Sequence, residues 1–168
     1  MRRSNFKDMN SQRRKFSLIF LLCLGLISFG LYLQHKEGLI PCPMCILQRY
    51  AFILCGILSL LATLFANSKI STKVFAGAVG LFSLTGASIA TRHVWLEHYP
   101  PEVFDCGADL EFMVNTFPVG EALPMIFRGT GDCSQVLWSF LGLSIAEWSL
   151  IWFAVITILA TTILVSRK

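Results

Sequence analysis

The sequence predicts an all-α membrane protein, a bundle of four transmembrane helices, and three observations predict it. Of its 168 residues 55% are hydrophobic and 14% charged, with a mean hydropathy of +0.65, a balance too apolar for an ordinary soluble domain of this size. Four stretches hold the roughly 20 mainly apolar residues that a bilayer crossing takes. The charged residues fall between and around those stretches, sorted by sign.

The first stretch, about residues 16–33, follows a basic segment and so resembles a signal peptide. Its apolar run is longer than the roughly 7–15 residues of a signal core, and no Ala-x-Ala-like site follows, so it is expected to stay as a helix. The second, about 46–66, follows Pro41-Cys42-Pro43-Met44-Cys45. The third, about 74–91, is rich in Gly, Ala, Ser and Thr, residues that let membrane helices pack closely. The fourth covers about 148–166. The expectation is one membrane domain over residues 1–168, with loops at about 34–45 and 92–147.

Lys and Arg placement sets the expected orientation. Ten basic residues precede the first stretch, join the second to the third, or end the chain, with Asp8 as the lone acid among them. The other side holds Lys36, Arg49, Arg92 and Arg128 against nine acids. Both termini are therefore expected in the cytoplasm, with the long loop outside. The net charge of +4 reports topology, and no basic-aromatic pattern for nucleic acid is present.

Six cysteines divide by depth. Cys23 and Cys55 fall within hydrocarbon, where a thiolate is poorly solvated, and read as small packing residues. Cys42, Cys45, Cys106 and Cys133 fall outside, in a compartment that is oxidising in bacteria. Four cysteines allow three connectivities. Adjacency favours Cys42 with Cys45, which leaves Cys106 with Cys133.

Cys42 fits a helix N-cap, with Pro43 at the first helical position, where its missing N–H is harmless. Cys45 then lies one turn along on the same face, and Arg49 one turn further. A helix N-terminus and a nearby cation both favour a thiolate, so the pair reads as reactive and Arg49 as functional rather than merely snorkelling at the interface. C-x-x-C also occurs in haem attachment, which needs His where Ile46 stands. A zinc site made of all four outer cysteines is disfavoured, because the second pair lacks the spacing.

The outer stretch from Arg92 to Glu147 is broken by prolines and glycines and is too small for a substantial core. Its Ala122–Phe127 run, with Trp95, Tyr99 and Trp138, suits the bilayer surface. Cys106 and Cys133 serve there either as a relay or as a staple. His93 is expected to end the third helix, and taken alone a histidine there reads as a solvated terminal residue.

Taken in order, several motifs make the chain resemble the disulfide bond formation protein B (DsbB) family, the bacterial quinone-linked thiol oxidases. They are Pro41-Cys42-Pro-Met-Cys45 with Arg49, His93-Val-Trp-Leu-Glu-His-Tyr99-Pro100 before Cys106, Gly131-Asp132-Cys133, and Trp138-Ser-Phe-Leu-Gly-Leu143 with Trp148. The resemblance implies that Cys106 and Cys133 accept electrons from a reduced periplasmic, DsbA-like dithiol oxidase. Cys106 forms the mixed disulfide, Cys133 attacks Cys42, and Cys45 faces a membrane quinone beside Arg49 and His93. It implies a multi-pass protein of the bacterial inner membrane with ubiquinone or menaquinone as cofactor. Such a partner has a potential near about −120 mV, so its reoxidation needs a still stronger acceptor. Two other classes fit part of the pattern. One is a vitamin K epoxide reductase-like oxidase, in which the membrane C-x-x-C comes after the loop cysteines rather than before them. The other is a non-enzymatic membrane protein whose disulfides are staples.

Overall fold

The computed structural model describes residues 2–38, 41–100, 136 and 138–166. Four helices carry it: α1 (Arg2–Lys36), α2 (Pro43–Phe65), α3 (Lys69–His98) and α4 (Ile145–Val165). All four are long and apolar enough to cross a membrane. A two-stranded antiparallel hairpin, β1 (Ser139–Phe140) and β2 (Leu143–Ser144), precedes α4. Cys106 and Cys133, the 107–130 stretch and the Ala122–Phe127 run lie outside the described residues.

Local chemistry sets the helix ends. α1 is longer than the apolar run at 16–33, taking in the basic segment before it, which no glycine or proline interrupts. It stops at Gly38, whose φ of 63° is the left-handed conformation that glycine takes without strain. α2 starts three residues before the apolar run. Cys42 is its N-cap, its sulfur accepting from Cys45 N, and Pro43 follows at the first helical position. α3 starts at Lys69 rather than 74, since Ser68 caps it by accepting from Ser71 N at 3.1 Å. α4 has a capping box, in which Ser144 Oγ accepts from Glu147 N and Glu147 Oε2 accepts from Ser144 N.

The outer end of α3 differs most from expectation. The helix runs seven residues past 91, through Arg92-His93-Val-Trp-Leu-Glu-His98. No glycine or proline interrupts that segment. The helix ends at Tyr99, just before Pro100, as the restriction on residues preceding proline requires.

Helix α2 packs between α1 and α3, and α3 packs along α4, while α1 and α4 barely meet. The core runs through Phe16, Ile19, Cys23, Phe52, Cys55, Val79, Phe153 and Ile156, all buried. Cys23 and Cys55 therefore sit where small packing residues belong. The small residues of α3 work as expected for close approach. A Cβ on Gly86 would come within 2.3 Å of Phe153 Cζ. Phe153 in turn stacks on Phe52, with ring centroids 3.9 Å apart and planes within 5°. Ser83 Oγ donates to Phe153 O at 2.8 Å, satisfying a hydroxyl that is fully buried. At the end away from the hairpin, Arg13 Nη2 donates to Asn67 Oδ1 at 2.6 Å and Lys15 Nζ to Thr162 Oγ1 at 3.2 Å. These tie α1 to the α2–α3 turn and to α4.

A dithiol site at the mouth of an apolar cavity

The start of α2 brings Cys42 and Cys45 together at the end of the bundle where α3 finishes and α4 begins. Their sulfurs lie 3.2 Å apart. Cys42 is buried and Cys45 partly so. The unsatisfied N–H groups of the first helical turn point toward this end, and their partial positive charge stabilises a thiolate.

The extension of α3 moves His93 from a helix end into the interior. The ring is 4% exposed, which rules out the solvated terminal residue expected from sequence. Its Nε2 lies 3.6 Å from Cys42 Sγ and 3.9 Å from Glu97 Oε1, one turn along α3. Its Nδ1 accepts from Gln48 Nε2 at 3.2 Å. In the tautomer protonated at Nε2, that N–H faces the Cys42 sulfur. Glu97 Oε2 accepts from Ser144 Oγ at 2.6 Å, so the same hydroxyl that caps α4 holds the carboxylate beside the imidazole.

Arg49 lies two turns into α2 and reaches across to α1. Its Nη1 donates to Gln34 Oε1 at 2.6 Å and its Nη2 to Gly30 O at 3.3 Å. The guanidinium is thus fixed within the bundle by two α1 acceptors. An arginine that only snorkels at the interface keeps its head in water.

These groups face a cavity of about 660 Å³ lined by all four helices, with α1 and α4 supplying most of its walls. Its walls are mainly apolar: Leu26, Ile27 and Leu33 from α1, Phe52 from α2, and Trp148 and Trp152 from α4. Cys45, Gln48, Arg49, His93 and Glu97 line one region of it. The hairpin supplies an aromatic bridge from α1 to α4. Phe29 meets Trp138 edge-on at 5.8 Å, Trp138 stacks on Phe140 at 6.0 Å, and Phe140 leans on Trp148 at 6.3 Å. Trp148 Nε1 anchors this bridge by donating to Phe140 O at 3.1 Å. Leu141 and Gly142 make the turn with φ of 54° and 79°, the paired positive values of a two-residue type I′ hairpin. An apolar slot with a few convergent polar groups suits a flat, lipid-soluble ligand. Cys42 Sγ, Cys45 Sγ and a His93 nitrogen, all within 4.8 Å of one another, also form a donor set suited to a metal ion.

The structure thus brings together Cys42, Cys45, Arg49 and His93 of the residues singled out in the sequence. It adds Gln48, Glu97 and Ser144, which sequence reading passed over. Two signals were present: Gln48 adjoins Arg49 on the cysteine-bearing helix, and Glu97 stands four residues after His93, where side chains share a helix face.

Comparison with known proteins gives a consistent answer. Residues 12–163 match the family model described as disulfide bond formation protein DsbB. The disulfide bond formation protein B of Aromatoleum aromaticum is 49% identical over 158 residues, covering 94% of this chain and 95% of the relative. Proteins of the same name from an Azoarcus species and from Polaromonas naphthalenivorans are 48% and 47% identical. Both alignments cover at least 93% of each chain.

Proposed function

The chain belongs to the disulfide bond formation protein DsbB family, and from that premise we propose that this multi-pass membrane oxidoreductase is a quinone-dependent thiol oxidase that reoxidises a periplasmic, DsbA-like dithiol partner. One observation carries the reading: a cysteine pair at a helix N-terminus lines an apolar, aromatic-walled cavity between membrane helices. That arrangement joins sulfur chemistry at the membrane surface to a ligand dissolved in lipid.

In this reading both termini are cytoplasmic and the cysteine end of the bundle faces the periplasm, across the bacterial inner membrane. The whole chain, 1–168, acts as one domain. Cys106 and Cys133 form the disulfide that the reduced partner attacks, with Cys106 taken into the mixed disulfide. Cys133, released as a thiolate, attacks Cys42 in a Cys42–Cys45 disulfide. The partner's second thiolate then releases Cys106 and leaves with its own disulfide, and Cys106 attacks Cys133 to release Cys42, so each exchange breaks one S–S bond and forms another and the Cys42–Cys45 pair gains two electrons. Cys45 leaves as a thiolate under the field of the α2 N-terminus. The quinone, ubiquinone or menaquinone, supplies a two-electron acceptor when bound in the cavity. Arg49 places fixed positive charge on the same helix face as Cys45, and His93 holds a proton at Nε2 beside Cys42. Gln48 orients that ring, and Glu97 with Ser144 limits its movement.

The test is anaerobic mixing of the purified full-length protein with quinone and a reduced dithiol partner, following quinone absorbance. Quinone loss matched one-to-one by partner disulfide is expected. Quinone left unreduced while partner and protein thiols are competent would overturn the reading.

A further inference from the structure

We propose that the reduced cysteine pair and His93 form a metal trap, taking one zinc or similar thiophilic divalent ion through Cys42 Sγ, Cys45 Sγ and His93 Nε2. This site keeps Cys42 and Cys45 of the four-cysteine arrangement considered from sequence but takes His93 in place of Cys106 and Cys133, and it stands whether or not the cavity takes a quinone.

The geometry is near that of a zinc centre. A tetrahedral ion with Zn–S of about 2.3 Å and Zn–N of about 2.05 Å sets S···S at about 3.8 Å and S···N at about 3.6 Å. Here the sulfurs are 3.2 Å apart and Cys42 Sγ to His93 Nε2 is 3.6 Å. All three donor atoms lie within 4.8 Å. Side-chain rotation alone closes the difference, because Cys42 and Cys45 share one helical turn and His93 faces Cys42 from α3.

The surroundings also match. Histidine ligands usually donate their second ring N–H to a neighbouring acceptor. Gln48 is positioned for this at His93 Nδ1; turning its amide over presents Oε1 to an Nδ1–H and frees the Nε2 lone pair. Water fills the fourth position, as in three-ligand zinc sites, and Glu97 Oε1, 3.9 Å from Nε2, places a carboxylate beside the histidine ligand. Donors held on two packed helices, two of them buried and Cys45 partly so, lose little freedom on binding.

Binding is gated by redox state. The ion takes two thiolates, so the thiols give up two protons on loading. A Cys42–Cys45 disulfide offers neither thiolate and leaves a lone imidazole. The trap therefore closes only on the reduced protein and blocks the pair from further exchange until the metal is removed.

The experiment titrates Co²⁺ anaerobically into the full chain carrying Cys106→Ser and Cys133→Ser, so that the loop pair adds no ligands, and then displaces it with Zn²⁺. Reduced protein is expected to bind one Co²⁺ with a sulfur-to-cobalt charge-transfer band and tetrahedral ligand-field bands. His93→Ala should weaken binding by at least the 10–100-fold typical of losing a ligand's supporting partner, and Cys45→Ser should remove half the charge-transfer intensity. Gln48→Leu, which keeps all three ligands, should weaken binding by about 10-fold or more. Three results would each overturn the proposal: no cobalt bound by folded reduced protein, equal binding by the oxidised protein, or His93→Ala binding as tightly as its parent. None of these bears on quinone reduction, which is read separately.

Discussion

Gly86→Ala is the sharpest test of how packing shapes the cavity. The added Cβ would lie 2.3, 2.4 and 2.9 Å from three atoms of the Phe153 ring, where carbon atoms rest at about 3.5–4.0 Å. The ring has to retreat by about 1.2 Å or more by that measure. Phe52 blocks its retreat, stacked 3.9 Å away, and Phe52 also lines the cavity. Either α3 and α4 separate or Phe52 is pushed into the ligand space. Overpacking costs about 1–3 kcal/mol, and losing the stacked pair about 0.5–1.5 kcal/mol. Alanine's better helix propensity offsets about 1 kcal/mol. The net destabilisation is about 0.5–3.5 kcal/mol, or about 2- to 400-fold in the unfolding equilibrium. Equilibrium unfolding in mixed micelles, followed by tryptophan fluorescence, measures it. Gly86→Ala with Phe153→Leu should recover part of the loss, since the smaller side chain vacates the contact. A single variant as stable as the parent, or more so, would refute the packing argument, because helix propensity alone would then account for the effect.

Further outcomes follow from the site. Cys45→Ser should abolish reoxidation of partner thiols coupled to quinone reduction, and full activity in that variant would refute the relay. Arg49→Ala removes a charge that lines the cavity and is held by two hydrogen bonds to α1; if the guanidinium also gives quinone one charged hydrogen bond, worth about 1.5–3 kcal/mol, the apparent KM for quinone should rise about 10-fold or more. An unchanged KM would leave Arg49 a purely structural clamp. Ser144→Ala removes both the α4 cap and the hydroxyl that holds Glu97. It should cost about 1–2 kcal/mol in the same unfolding assay, and no loss would show that neither bond contributes.

The four spans were legible because transfer to lipid depends on composition, which local sequence carries in full. The α2 start was legible for a similar reason: Cys42-Pro43 is a cap and a first-turn residue in one dipeptide. The outer end of α3 was not. Arg92, His93, Glu97 and His98 look like loop polarity when counted along the chain. Only the packed bundle shows that His93 is buried against Gln48 and Cys42, from a helix 45 and 51 residues away. The cavity was illegible for a stronger reason, since all four helices line it and most of its walls come from α1 and α4, the first and last in the chain.

That cavity explains why the chemistry sits where it does. A helix bundle in lipid has to satisfy its polar side chains internally. Here Gln48, His93, Glu97 and Ser144 do so in one polar series crossing from α2 through α3 to the cap of α4, with hydrogen bonds at Gln48–His93 and Glu97–Ser144 and a 3.9 Å ion-pair contact between His93 and Glu97. Arg49 leaves the same helix toward α1. Gln48 thus reaches toward α3 and Arg49 toward α1 from neighbouring positions on α2, and both line the cavity with Cys45. Trp148 and Trp152 of α4 and the Cys45 sulfur line the same cavity. Moving the dithiol one turn deeper would lose the helix N-terminus that stabilises a thiolate. Moving it outward would lose the cavity.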